Sequence, residues 1–156
     1  MRETIYIETS VLSYYTALPS RAVLIKARQE ITRRFWLVLP RYDVYVSQVV
    51  EEEAAMGDAA AAGKRLHAMS TFPRLAISAH AEALARRFLR DLNIPEKAFR
   101  DALHLGIAAA KRIDYLVTWN CTHLANPHVL KNLNRVQEER GLYVPVICTP
   151  EQLLEA

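Results

Sequence analysis

A short apolar run, Ile5-Tyr6-Ile7, ends on a carboxylate at Glu8, and two hydroxyls, Thr9 and Ser10, follow before a second, helical-looking apolar run. An acid in that position has two readings. It caps the start of a helix, or it belongs to a set of acids that hold a metal ion. Other acids stand far away in sequence. Glu51, Glu52 and Glu53 form a row. Neighbouring helical side chains point about 100° apart, so one or two of the three can face any given site. The rest suit a solvated first turn, where the helix dipole favours negative charge. Asp101 shares its helical face with His104, Leu105 and Ala108, a mostly apolar surface for a carboxylate. With the helix starting near Pro95, Asp101 lies about two turns inside it, too deep to cap it. A buried acid needs a partner, which is Arg100 or Lys97 if Asp101 is structural. His104 reads as a core histidine with one hydrogen bond; its other reading is a metal ligand or base. The remaining histidines, His67, His80, His123 and His128, share no spacing that marks a site. Trp119, beside Asn120, either stacks on a nucleic-acid base or packs at a strand end.

The elements that must position these groups follow from apolar periodicity and turn chemistry. Strands are expected at 4–8, 42–47, 74–78, 114–120 and 144–149. Helices are expected at 21–39 after Pro19-Ser20, from 48 with Ser47 as its cap, over 58–70, over 81–92, from Pro95 to Arg112, from Asn126 to a stop at Gly141, and over 150–156. Strands alternating with helices predict an α/β domain spanning 1–156, with a largely parallel sheet flanked by helices on both faces. In such sheets ligands collect at the carboxyl ends of the strands. Glu8 and Asn120 lie at such ends. Asp114 lies at an amino end and reads as a turn residue.

The totals limit the function classes. The chain has 156 residues, 51% of them hydrophobic, and a mean hydropathy of −0.02. These values suit one domain with a sizeable core. No apolar run approaches the roughly 20 residues of a membrane span. The first residues lack the pattern of a secretory leader, so a cytoplasmic protein is expected. Four glycines and no phosphate-loop spacing argue against a nucleotide fold. Cys121 and Cys148 are expected as reduced thiols, and Cys121 with His123 lacks the second pair a zinc site needs. A net charge of +3 and a pI near 9.0 are compatible with a nucleic-acid partner without requiring one.

Taken in order, four local motifs resemble one family. An acid ends the first strand in "YIETSVLSYY". An acid follows a serine by six positions in "SQVVEEE". An acid precedes Ala-Leu-His in "DALHLGIAAA". A "TWN" closes the next strand in "DYLVTWNCTHLAN". This order is similar to that of PIN domains, specifically the VapC-type toxins of toxin–antitoxin pairs, and the resemblance runs to the closing "ICTPEQLL". It implies a parallel five-stranded sheet between helices and a Mg²⁺- or Mn²⁺-dependent ribonuclease. By the same resemblance, Glu8, Glu53 and Asp101 bind metal, with Glu52 the fallback for Glu53. Asn120 orients water or a second metal, and Ser10 and Thr118 support the site. Glu8 stands where the family usually has Asp, one methylene shorter. The implied partners are an RNA with an accessible single strand or loop, a VapB-like antitoxin whose tail fills the groove, and a second copy of the chain as a homodimer. The apolar helix at 21–39 is a candidate for part of an interface. Arg33, Arg34, Arg86, Arg87, Lys111, Arg112, Lys131 and Arg135 are candidates for RNA contact, and only those ringing the acids would matter. The alternative function is a catalytically weakened PIN-fold module that binds RNA or protein, with the longer Glu8 as its cause. A third reading is another metal-dependent enzyme on a similar sheet, such as a DNA nuclease or phosphatase.

Overall fold

Ile5, Tyr6 and Ile7 are fully buried, as a strand covered on both faces requires. They form β1 (Thr4–Ile7), the centre of a five-stranded sheet in the computed structural model, which describes residues 1–154. The other strands are β2 (Asp43–Ser47), β3 (Arg74–Leu75), β4 (Tyr115–Val117) and β5 (Val146–Cys148). All pair in parallel, in the order β3-β2-β1-β4-β5. The chain moves outward from β1 to β3, then crosses back to lay β4 against the other side of β1. The β1/β4 boundary is therefore the topological switch point, where the carboxyl ends of two strands open a crevice.

The helices are α1 (Thr9–Thr16), α2 (Val23–Val38), α3 (Gln48–Ala54), α4 (Ala59–Met69), α5 (Ala79–Asp91), α6 (Phe99–Ala110), α7 (Pro127–Arg140) and α8 (Pro150–Leu154). They pack as two groups, α1 with α2, α3 and α4 (and α8 on α2), and α6 and α7 on α5. This is the expected α/β architecture with helices flanking the sheet. The expected caps are in place. Ser47 Oγ accepts from Val50 N–H at the head of α3, and Gly141, at φ 63°, closes α7. That left-handed conformation is open to glycine at no steric cost.

Several boundaries differ from expectation. β3 is two residues long rather than five, because Ser78 leaves the strand to cap α5. The helix expected at 21–39 spans Val23–Val38, and Leu39–Arg41 tighten into a 3₁₀ turn around Pro40. The last helix is seen to Leu154, and its expected end at 155–156 lies outside the described residues. Pro95 precedes a 3₁₀ turn, Glu96–Ala98, and α6 proper begins at Phe99. Asp101 is therefore in the first turn of its helix, not two turns deep. There the helix dipole favours its charge.

Helix α6 packs closely on α5 because Gly106 faces it. A methyl group at 106 would collide with the carbonyl oxygen of Ala81 and lie 2.9 Å from the Ala85 amide. No described helix is long and apolar enough to cross a membrane. Both cysteines are free thiols, Cys121 exposed and Cys148 buried, and burial pushes the Cys148 thiol up to about 12. The start of α2 leaves Val23 and Leu24 exposed, with Leu18 before them and Leu37 at the far end.

Candidate active site

Glu8 takes the first of its sequence readings, and it also lies in a cluster with Glu53 and His104. It is the N-cap of α1, and its Oε1 accepts from the Ser10 amide at 3.2 Å. The same oxygen accepts the Ser10 hydroxyl and, at 2.6 Å, the Thr118 hydroxyl from the end of β4. Glu8 is 5% exposed, so its charge is held by three donors inside the sheet edge. Its second oxygen, Oε2, accepts no hydrogen bond among the described residues and lies 4.0 Å from His104 Nε2.

The three consecutive glutamates of α3 go to three different partners. Glu51 pairs with Arg74, and Glu52 lies 3.4 Å from Arg100. Glu53 turns inward, where its Oε1 accepts from Thr9 Oγ1 at 2.6 Å and meets His104 Nε2 at 2.6 Å. The 100° step between neighbours therefore separates one site residue from two surface ion pairs. Between Glu52 and Glu53, Glu53 is the one that reaches Glu8. Burial pushes the Glu53 carboxyl up, but the hydrogen bond and charge of His104, then Thr9 and Arg100, pull it down further, to a net position below its ordinary value.

His104 is fully buried and makes two hydrogen bonds, not one. Its Nδ1 lies 2.7 Å from the Tyr6 hydroxyl, which lies 2.7 Å from Ser47 Oγ. The relay runs from the cap of α3, through the central strand, to the acids. A carboxylate only accepts, so Nε2 carries a proton toward Glu53. In the neutral ring, Nδ1 then accepts from Tyr6, Tyr6 from Ser47, and Ser47 from the Val50 amide, and each donor has an acceptor. Burial pushes the imidazole down, but the Glu53 hydrogen bond and the charges of Glu8, Glu53 and Asp101 raise it above its ordinary value overall. Burial, opposed in part by the Ser47 hydrogen bond and reinforced by Glu8 and Glu53, drives the Tyr6 phenol well up, so it stays neutral.

Asp101 stands beside this cluster with a different partner. Neither Arg100 nor Lys97 pairs with it. Its Oδ2 accepts from His123 Nδ1 at 2.9 Å, and Oδ1 accepts no hydrogen bond among the described residues. His123 was invisible to helical spacing because it arrives on the loop after β4. Asn120 builds that loop: its Oδ1 accepts from the Thr122 and His123 amides at 3.3 and 3.1 Å, and its own amide donates to Thr118 Oγ1. The Asn120 side chain is thus engaged in a turn that aims His123 at Asp101. Trp119 packs: it is 7% exposed, its amide donates to Ser10 Oγ and its indole N–H to Thr32 Oγ1.

Ligand atoms of Glu8, Glu53 and His104 lie within 4.8 Å of one another. Glu8, Glu53 and Asp101 share one pattern. In each, one carboxylate oxygen is fixed by protein donors and the other is left without a hydrogen bond. Hard, fixed oxygens of this kind suit Mg²⁺ or Mn²⁺. Two of the acids sit at helix N-termini and the third faces an imidazole, which offsets the cost of gathering like charges. A cavity of about 480 Å³ lies elsewhere, lined by Trp36, Tyr42 and Phe72 among others. It gathers no cluster of carboxylates comparable to Glu8 and Glu53.

The backbone is similar to that of solved toxins. VapC20 of Mycobacterium tuberculosis, described as a sarcin-ricin loop cleaving toxin, aligns with a TM-score of 0.57 and 22% identity over 72% of this chain and 86% of that one. VapBC2 of Rickettsia felis, solved with a promoter DNA fragment, aligns at 0.55 and 13% over 94% and 98%. A toxin–antitoxin complex of Klebsiella pneumoniae aligns at 0.56 and 17% over 80% and 93%. The chain has the VapC-type PIN fold. No family model matches the sequence, and no curated protein matches it. At such identities it is the fold that is shared, and within this PIN fold the acids lie at the switch-point crevice of the sheet.

Proposed function

We propose that the chain is a metal-dependent endoribonuclease, a VapC-like toxin that cleaves RNA and is neutralised by a VapB-like antitoxin in the cytoplasm. The observation that carries the reading is the shared pattern of Glu8, Glu53 and Asp101, each held by one oxygen and free at the other. These three would hold Mg²⁺ or Mn²⁺. When bound, such an ion supplies an activated water and neutralises charge on a phosphate. The chain's own residues do the rest. Ser10 and Thr118 fix Glu8, Thr9 and His104 fix Glu53, and His123 on the Asn120 turn fixes Asp101. No side chain is needed as a nucleophile. The exposed Val23, Leu24 and Leu37 of α2 support a covered surface in the working assembly, for which the antitoxin and a second copy of the chain are the partners proposed.

The test is cleavage of a mixed set of structured RNAs by the purified protein, freed of any antitoxin, with Mn²⁺, Mg²⁺ or EDTA, beside Asp101→Ala. Cleavage that needs the metal and disappears in the variant is the expected result. Equal cleavage by both proteins would mean a contaminant and remove the support for the assignment.

A further inference from the structure

Arg28 lies over the Trp119 ring and, among the described residues, pairs with no acid. Among the described residues, Arg33 and Arg34 pair with Glu30, Arg74 with Glu51, Arg86 with Glu82, Arg100 with Glu52 and Arg140 with Asp91. Arg28 pairs with no carboxylate. Its guanidinium carbon lies 5.2 Å from the Trp119 ring centre and 5.9 Å from that of Tyr14. One terminal nitrogen is 3.4 Å from the Tyr14 hydroxyl and the other 3.9 Å from Cys121 Sγ. These are long, weak contacts, so the planar fork keeps most of its hydrogen-bonding capacity.

Its position is fixed from beneath. The Trp119 indole donates to Thr32 Oγ1, and Thr32 donates to the Arg28 carbonyl one turn back on α2. The Trp119 amide donates to Ser10 Oγ, which donates to Glu8. Tyr14 lies one turn beyond Ser10 on α1, about 6 Å along the helix axis. The Trp119 ring beneath the guanidinium is thus tied through Ser10 to the first acid of the site, and the Thr32 bond fixes the Arg28 backbone on the same ring. With the acids and their ion facing the reacting phosphate, a fixed cation at the rim would hold the strand by a neighbouring phosphate. A stacked arginine loses little freedom on binding and forks onto phosphate oxygens.

We propose that Arg28 is the phosphate anchor of the substrate strand, binding the sugar–phosphate backbone beside the acid site. The proposal rests on the ribonuclease reading above. Arg28 carries charge and shape rather than base readout, so its contribution is independent of sequence.

The test uses the full chain and a fluorescent single-stranded RNA oligonucleotide. Binding is followed by anisotropy at several salt concentrations in an Asp101→Asn background, and KM and kcat are measured with Asp101 intact. Arg28→Gln keeps the stem and removes the charge; Arg28→Lys keeps the charge and loses the fork. Arg28→Gln is expected to weaken binding about tenfold and raise KM with little change in kcat. It should also lower the slope of log K against log[salt] by about 0.7, the release expected from one phosphate contact on a single strand. Arg28→Lys is expected to keep the slope and bind between the two. Thermal unfolding of both variants shows whether the fold is intact. If the protein with Arg28 binds and cleaves RNA, and folded Arg28→Gln matches it in affinity and slope, the anchor is wrong and the nuclease reading stands. If the protein with Arg28 neither binds nor cleaves RNA, both fall together.

Discussion

The paired strands β1 and β4 carry an acid clamp at each end, and the two clamps differ in what they leave over. At the amino end, Asp114 Oδ2 accepts from the Thr4 amide at 2.8 Å and hydroxyl at 3.0 Å, while the Asp114 amide donates back to Thr4 Oγ1 at 2.9 Å. This clamp is exposed and starts the two strands in register. At the carboxyl end, Glu8 takes Thr118 and Ser10 in much the same way, but it is buried, with a second acid and an imidazole gathered against it. A carboxylate bridging two strands is thus only a staple. What turns one staple into a candidate site is convergence: Glu8, Glu53 and His104, from three different stretches of chain, bring ligand atoms together, with Asp101 close enough for its charge to act on His104.

The contrast breaks most sharply on activity. Removing an acid at the carboxyl end, by Glu8→Ala, Glu53→Ala or Asp101→Ala, should lower RNA cleavage by roughly 10³-fold or more, since ion binding contributes several kcal/mol to such reactions. Asp114→Ala should leave the initial rate unchanged. Cleavage equally sensitive at both ends would mean that the acids act through stability alone. The next effect is on the ion itself. Ser10→Ala or Thr118→Val leaves the carboxylates in place but unfastens Glu8. Mn²⁺ affinity, measured by calorimetric titration, should fall about 10–100-fold, the usual effect of loosening a ligand's support.

A third effect separates the ends through pH. Glu53 sits below its ordinary carboxyl value of 4.5 and His104 above its ordinary 6.5. A lowered acid contributes stability above its unfolded value and loses it as pH falls through the folded one. A raised histidine contributes below its unfolded value and loses it as pH rises through the folded one. The pair is therefore worth most between pH 4.5 and 6.5. In EDTA, His104→Gln should cost about 2–3 kcal/mol in that window, and the cost should shrink on either side. A gap that stays constant with pH would assign His104 a packing role only.

What the sequence disclosed follows the range of each interaction. Parallel strands, Ser47 and Gly141 as caps, and the placement of Glu8 at a strand end came from local rules, and the structure agrees with each; the strand expected at 114–120 is only Tyr115–Val117, so Asn120 lies in the turn three residues past it rather than at its end. Of the other misses, one was local and the rest long-range. The start of α6 was misplaced because a 3₁₀ turn follows Pro95, and that put Asp101 too deep. Its partner, His123, lies 22 residues on and shares no helical period with it. Tyr6 was read as an apolar strand residue, although a buried phenol needs a partner, and the alternation that puts Tyr6 and Glu8 on one face of β1 pointed toward the site. Which of three glutamates turns inward depended on Arg74 and Arg100, which no rule of spacing joins to α3. Arg28 escaped notice because its neighbours are aromatic rather than acidic.

The smallest effect tests the comparison most finely. Asp114→Ala removes hydrogen bonds at an exposed strand start, and such bonds contribute about 1 kcal/mol net. Urea unfolding should show that loss with an unchanged slope, because the surface exposed on unfolding is the same. Ion binding then adds to the folded state alone, by about 2.7 kcal/mol at a concentration 100 times Kd. For a chain of this size, that raises Tm by roughly 5–10 °C. Asp114→Ala should gain the full shift with Mn²⁺, since its clamp touches none of the free oxygens. Glu8→Ala should gain little of it. If the two variants responded alike to Mn²⁺, the two ends of the sheet would be equivalent staples, and the free oxygens at the carboxyl end would have no ion to hold.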